Sequence, residues 1–359
     1  MRAYFDTAAH RQERQQLPIL SSLIERYRDE RPFAGMQVAS GHVLVRNSMV
    51  TIEALYAGGA EIFLADAFHT PATEKVKRAL KEADVPIYSK QEAAHLADLY
   101  LDVNAVLGRE QAPRAAAEVT RTGIHHYANI EGVVISADDC RSKLIEGFYG
   151  TGDSLRRAWR QFKGDEGLTG KRIIQFGFGK IGRGVAFQLR LAEAELLVLE
   201  ADPARIKKAE QDGFDTLNVG LAAEVEKELK AAEIIVSVTG IPGIISDRYS
   251  RAVIMSNAPE LISLGAQDEY GDDYGEDEIL GGKQVPLNFQ LAEPTLNRYV
   301  DAPLAAHVLA LEAWARNPDA FENGIHALPE EMDRWVLESW REYWPNEDLT
   351  GIGADLGLS

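Results

Sequence analysis

A single cysteine, Cys140, in 359 residues excludes an internal disulfide and fits a reducing compartment. Nothing beside it in the sequence activates a thiolate, so a structural thiol is expected. No apolar run reaches membrane-spanning length, and Met1-Arg-Ala-Tyr-Phe-Asp lacks the apolar stretch of a secretory leader; a cytoplasmic protein is expected. Positive charge is scarce. Against 56 Asp and Glu there are 38 Lys and Arg, a net charge of −18, which disfavours nucleic acid or an anionic membrane as partner. Metal-ligand spacing is missing too. The adjacent His125 and His126 cannot face one side of a helix or strand. The acidic stretch from Gly265 to Asp277 lacks the spacing of a calcium loop and reads as a solvated loop, so no metal is expected. There is no repeat and no low-complexity segment.

What is present is core material and alternation. With 45% hydrophobic residues and this length, two domains are expected. Residues 12–30 carry Leu17, Leu20, Leu23, Ile24 and Tyr27 at helical spacing. Short apolar strands then alternate with helices: Met36 to Ser40, Glu61 to Ala65, Val85 to Tyr88 and Leu99 to Asn104, separated by Gly/Pro turns. That order predicts a parallel sheet over the first 135 residues. His42, His69 and Asp102 each follow a strand, at the edge where ligands collect in such sheets, and could face one cleft; for either histidine a hydrogen-bonded structural role stands beside this. Residues 119–132 read as a polar loop. Lys143 and Glu146, three apart, share a helical face, as a solvated ion pair or as paired functional groups. Residues 302–317 read as an amphipathic helix. Pro329 opens a last helix, whose Trp335, Trp340 and Trp344 are either interface or core.

The most informative stretch is Arg172-Ile-Ile-Gln-Phe-Gly177-Phe-Gly179-Lys180-Ile181-Gly182-Arg-Gly184. A buried strand, a Gly-x-Gly-x-x-Gly turn and a helix follow one another, which is the order a dinucleotide pyrophosphate needs. A second strand, 196–200, ends in Glu200, 21 positions after Gly179. A carboxylate there accepts ribose hydroxyls and repels a 2′-phosphate, which selects NAD over NADP. A third strand leads to Thr239 and Gly240.

With these residues placed, the chain resembles the S-adenosylhomocysteine hydrolase family over most of its length. The likeness is carried by Gly41-His42, Ile52-Glu53-Ala-Leu, Leu101-Asp102, Thr120-Arg-Thr122-Gly123, Ser142-Lys143 with Tyr149-Gly150, the glycine loop, Glu200-Ala-Asp202-Pro203, Val238-Thr239-Gly240 and Gly324-Ile-His326-Ala-Leu-Pro. The resemblance implies an α/β fold of two doubly wound parallel-sheet (Rossmann-like) domains. The substrate domain would take residues 1–145 and 303–345, with an NAD domain at 146–302 inserted and a tail at 346–359. It also implies a homo-oligomer, dimer or tetramer, and NAD used catalytically. The family oxidises a ribose hydroxyl, eliminates a thiol from the acidified neighbouring carbon, adds water and reduces the ketone again.

Carried over residue by residue, Gly177, Gly179, Lys180, Ile181, Gly182, Glu200, Thr120, Thr122, Thr239, Gly240 and Asn288 would hold the cofactor. His42, Asp102, Lys143 and Glu146 would be catalytic, with Lys143 as base at the hydroxyl and Glu146 in place of a partnering aspartate. The spacing from Lys143 to Tyr149 is one residue off the family's. Val103, Val119, Leu44 and Arg46 depart from it in the nucleoside pocket, and Ala266, Pro259 or Glu260 stands where the family has a histidine. The terminal Gly-Ala-Asp-Leu-Gly-Leu-Ser lacks the family's basic tail. The expectation is therefore a family-type enzyme acting reversibly on the hydroxyl of an altered small-molecule substrate, with thioether elimination and hydration possible. An oxidoreductase with exchangeable NAD and a non-catalytic NAD-binding homologue are the alternatives.

Overall fold

The computed structural model describes every residue except Asp165, Ala266, Gln284 and Ser359. The chain divides into two compact units, Met1–Glu146 with the segment from Asn297 onward, and Gly147–Leu296.

After two short helices, Arg2–Phe5 and Ala8–Gln15, the first unit continues with helix α1 (Pro18–Glu30), strand β1 (Gln37–His42) and helix α2 (Ser48–Ala57). Strands β2 (Glu61–Asp66), β3 (Ile87–Tyr88), β4 (Leu99–Asp102) and β5 (Ala115–Glu118) follow, then helix α3 (Arg121–Tyr127) and strand β6 (Val133–Ser136). The second unit contributes helix α4 (Thr151–Lys163), β7 (Arg172–Phe176), helix α5 (Lys180–Leu191), β8 (Glu195–Glu200), β9 (Asp215–Asn218), β10 (Ile234–Ser237), β11 (Glu260–Ser263) and β12 (Ile279–Leu280). The chain then returns to the first unit with α6 (Asn297–Arg316), β13 (Gly324–Ala327) and α7 (Glu330–Tyr343).

In the first unit the strands pair in parallel in the order β13-β6-β5-β4-β1-β2-β3. From β1 the chain winds one way, and from β4 it winds the other. The switch point between them leaves a crevice outside the carboxyl ends of β1 and β4, where open α/β sheets place their ligands. The central strands are apolar and buried throughout because helices cover both faces.

Helix α6 departs from the amphipathic helix expected at 302–317. Every residue from Tyr299 to Trp314 is buried. It packs against α1, α2, α7 and strands β4 to β6, so no face is left for water. Its polar residues are used internally. The Asp301 carboxylate accepts from the amides of Ile19 (2.8 Å) and Leu20 (3.0 Å), capping α1, whose own Leu17 cannot. Pro303 lies inside the helix rather than at its start, which moves the boundary expected after residue 302 to Asn297. The expected tail is packed too: Ile352 and Leu356 are buried. Trp340 is fully buried and donates to the Arg298 carbonyl, so it belongs to the core. The helix expected at 12–30 is interrupted before Pro18.

In the second unit the order β12-β11-β10-β7-β8-β9 is the 3-2-1-4-5-6 arrangement of a dinucleotide-binding sheet, entirely parallel. The acidic stretch after Gly265 corrects the solvated-loop expectation. Glu269 and Tyr270 are fully buried, and Tyr274 nearly so. The Tyr270 hydroxyl donates to the Ile235 carbonyl of β10 at 2.9 Å. Lys283 pairs with Asp268 at 2.8 Å and donates to the carbonyls of Gly271 and Tyr274. Internal partners account for Asp268 and Glu269, whereas Asp272, Asp273, Glu276 and Asp277 are exposed to solvent as expected.

Candidate functional site

The dinucleotide cradle lies at the carboxyl end of β7. Its three glycines meet three different constraints. Gly177 has φ +96°, and a Cβ there would sit 2.8 Å from the Val238 carbonyl oxygen. At Gly182 a Cβ would sit 2.3 Å from the Gly177 oxygen, so only glycine lets α5 start against the turn. Gly179, at φ −72° and ψ −166°, has nothing nearer to its Cβ position than an Arg205 nitrogen at 3.9 Å. The protein therefore leaves space at the position where a pyrophosphate meets the helix N-terminus. Its N-cap residue, Gly179, has no side chain to cap α5 there. Lys180 and the exposed Ile181 begin the helix.

Gln175, not anticipated from the sequence, is buried on β7 and donates to the carbonyls of both Gly177 (2.8 Å) and Gly182 (2.7 Å), clamping the turn. Its signal was an amide inside an otherwise apolar strand. Glu200 ends β8. One oxygen accepts from the Phe178 amide at 2.8 Å and the other from Ala201 and Asp202, so the acid also shapes the glycine turn.

Beside the turn, the amides of Thr239 and Gly240 and the hydroxyls of Ser237 and Thr239 all converge on the buried Glu269 carboxylate. A Cβ on Gly265 would overlap that carboxylate, at 1.9 Å. Thr239 and Gly240 thus sit at the end of β10 as expected, with their donors held by a carboxylate that sequence reading took for loop. Asn288 is buried in a 3-10 turn, and its Oδ1 has no partner among the described residues. An unsatisfied buried amide oxygen is what a cofactor amide donor would complete. These residues fit NAD.

Thr120 and Thr122 lie in the first unit, where Thr120 caps α3, accepting from the Gly123 amide at 3.1 Å and donating to Glu118 at 2.7 Å. Its hydroxyl is committed to the fold. The polar loop expected at 119–132 is in part this helix, with Ile124 and Tyr127 buried.

The strand-end site of the first unit gathers His42, Lys143 and Glu146, but not all the residues expected to share a cleft. Asp102 is fully buried and accepts from the amides of Val103, Leu107 and Gly108 and from the Tyr127 hydroxyl at 2.7 Å. It shapes its own loop instead of facing a ligand. Glu118 does the same for the next loop, accepting from Asn104, Ala105, Val119 and Thr120. Burial raises the pKa of both carboxyls, and the charge of Asp102 raises Glu118 further. His69 is exposed and pairs with Glu74 at 3.2 Å, so it too is no part of the site.

Lys143 and Glu146 form an ion pair. Burial pulls the Lys143 ammonium down, but Glu146 and Asp138 outweigh it and leave its pKa above the ordinary lysine value. The group is a charged donor, not the free amine expected of a base. The turn from Glu146 to Gly150, which leads to Tyr149, is π-helical. Burial lowers His42 to about 4, with the Lys143 charge acting the same way, and its Nδ1 meets the Val43 carbonyl at 3.3 Å. His307 of α6, missed in the sequence because it lies within an apolar helix, sits beside it with ring centres 5.7 Å apart and planes tilted by 45°. Cys140 is buried, its thiol raised to about 12 by burial, and donates to the Ala137 carbonyl. Of the three positions weighed for the family histidine, Ala266 lies outside the described residues; Pro259 and Glu260 are at the start of β11, the end away from the cradle.

A 3-2-1-4-5-6 sheet with a glycine cradle, joined in sequence to a second doubly wound unit with a polar strand-end site, defines an NAD-binding α/β protein. Residues 147–268 match the S-adenosyl-L-homocysteine hydrolase NAD-binding domain. The S-inosyl-L-homocysteine hydrolase of Methanopyrus kandleri is 27% identical over 90% of this chain and 87% of its own. The adenosylhomocysteinase of Archaeoglobus fulgidus is 26% identical, over 89% of each chain. A second S-inosyl-L-homocysteine hydrolase, from Methanocaldococcus jannaschii, is 24% identical over 90% of this chain and 88% of its own. The chain is thus similar over about 90% of its length to S-inosyl- and S-adenosyl-homocysteine hydrolases, and it carries an NAD-binding domain of that type, with NAD as cofactor.

Proposed function

We propose that the protein is an NAD-dependent hydrolase that cleaves the thioether of an S-nucleosyl-homocysteine whose base is held differently from adenine in most of the family. The observation that carries this reading is the neutral His42 beside the charged Lys143–Glu146 pair at the switch point of the first unit. When bound, NAD supplies a reversible hydride acceptor. Gly177, Gly179, Gly182, Glu200 and Asn288 hold it. Lys143 binds the substrate hydroxyl oxygen as a donor, and can take the hydroxyl proton only by passing one of its own to Glu146. His42, neutral with its Nδ1–H on Val43, presents Nε2 as an acceptor for a proton at the reacting carbon or at water. Leu44 cannot hydrogen-bond a base edge. Arg46 offers only donors, and so favours a carbonyl over an exocyclic amine on the base.

The test measures thiol released from S-inosyl-L-homocysteine and from S-adenosyl-L-homocysteine by NAD-loaded wild type and Lys143→Met. Release from at least one by the wild type, lost by the variant, is expected. No release from either overturns the reading.

A further inference from the structure

His42 and His307 are 6% and 0% exposed. Each places one ring nitrogen against a backbone carbonyl: His42 Nδ1 on Val43 at 3.3 Å and His307 Nε2 on Ala117 at 3.0 Å. A carbonyl only accepts, so those nitrogens carry the protons. A neutral imidazole has a single N–H. That leaves His42 Nε2 and His307 Nδ1 as lone pairs, and both are buried with no hydrogen-bond partner among the described residues. The surroundings keep both rings neutral. Burial lowers His42 to about 4 and His307 to about 3; Lys143 pushes both further down, while the Val43, Ala117 and Asp102 carbonyls pull weakly the other way. The nearby carboxylates are engaged elsewhere: Asp102 and Glu118 with their loops, Glu146 with Lys143.

Two buried acceptors on neighbouring rings call for a donor. Ring centres 5.7 Å apart place the two imidazoles within reach of one intervening oxygen. We propose that His42 and His307 hold one oxygen between their two imidazole lone pairs, a water that donates one O–H to each ring or a substrate hydroxyl that donates its one proton to either, and that His307 is the positioning residue that fixes this oxygen against His42. The helix that folds back from the second half of the chain thereby supplies part of the first unit's site. The inference deepens the proposed function and rests on it for the kinetic arm alone.

The experiment pairs two substitutions with two direct readouts. His307→Gln keeps an amide donor for Ala117 but has no acceptor at the Nδ1 position; His307→Asn keeps that acceptor and gives up the Ala117 contact. The expected kinetic result is a loss of about 100-fold in kcat for Gln, with little change in KM and a wild-type melting temperature, and recovery of about tenfold or more in Asn. Nitrogen-15 spectra at pH 7 should show His42 protonated on Nδ1 and His307 on Nε2. Crystals of the NAD-loaded protein should show an oxygen within about 3.2 Å of both free nitrogens. With the product nucleoside soaked in, a nucleoside hydroxyl at that position identifies substrate as the source, and a retained water identifies solvent. Reversed tautomers, no shared oxygen in either crystal, or unchanged kcat in His307→Gln overturns the proposal. If neither thioether releases thiol, the functional reading fails, and the spectra and crystals alone still decide this one.

Discussion

Substituting alanine at Gly179 and at Gly182 separates what the fold needs from what the cofactor needs. At Gly179 the backbone is in a region open to any residue, and an added Cβ approaches nothing closer than 3.9 Å. Fixing the unfolded chain by Gly→Ala stabilises by about 0.4–1 kcal/mol, so Gly179→Ala should melt at or slightly above the wild type. The same methyl fills the space where the pyrophosphate approaches the helix. Losing one or two charge-assisted hydrogen bonds at about 1.5–3 kcal/mol each weakens NAD binding by roughly 3 kcal/mol, about a hundredfold. Gly182→Ala is different. Its Cβ would meet the Gly177 oxygen at 2.3 Å and Gln175 Nε2 at 3.2 Å, forcing the turn open and breaking the Gln175 clamp. It should lose about 2–3 kcal/mol of stability and NAD affinity together. Calorimetric titration with NAD and thermal melts of the apo proteins measure both. Wild-type NAD affinity in Gly179→Ala would show that the cradle identified here is not the pyrophosphate site.

Glu269→Gln turns an acceptor of four donors into a group carrying two N–H of its own; it should destabilise the second unit by about 3 kcal/mol and weaken NAD binding, read by urea unfolding and titration, and an unaltered midpoint would deny Glu269 its organising role. His42, lowered to about 4 from an unfolded value near 6.5, contributes stability that is complete above pH 6.5 and lost as pH falls through about 4, up to about 3 kcal/mol. His42→Asn should therefore remove about 1.4 kcal/mol per pH unit from the slope of unfolding free energy between those limits, and an unchanged slope would contradict the buried neutral state. Burial holds the Cys140 thiol near 12, so iodoacetamide at pH 8 should alkylate it only after denaturant is added.

The features legible in the sequence are those whose physics is local. The glycine turn between two apolar strands, the acid ending the second strand and the three-residue spacing of Lys143 and Glu146 are set by neighbours along the chain. The parallel alternation likewise follows from short apolar runs broken by Gly and Pro. What escaped reading depends on partners far away. Glu269 sits in an acidic, tyrosine-containing stretch that looks solvated until the amides of β10 are brought to it. Helix α6 carries Asp301, His307 and Glu312 and so looks amphipathic, yet each finds a buried partner: the start of α1, the end of β5, and Tyr27 with Arg26. Asp102 stands at the strand end where a catalytic acid is expected, and only the loop after it, folding back onto both oxygens, shows that it is structural.

The most direct test is to mix NAD-loaded protein with S-inosyl-L-homocysteine and with S-adenosyl-L-homocysteine in single turnovers, following released thiol and the reduced-nicotinamide absorbance together. The account predicts thiol release with at least one of them, accompanied by a reduced-nicotinamide signal that rises and decays, with the Arg46 substitution favouring the inosyl compound. A stable reduced cofactor without thiol would make the protein a simple oxidoreductase. Bound NAD with neither signal would contradict the hydrolase reading outright.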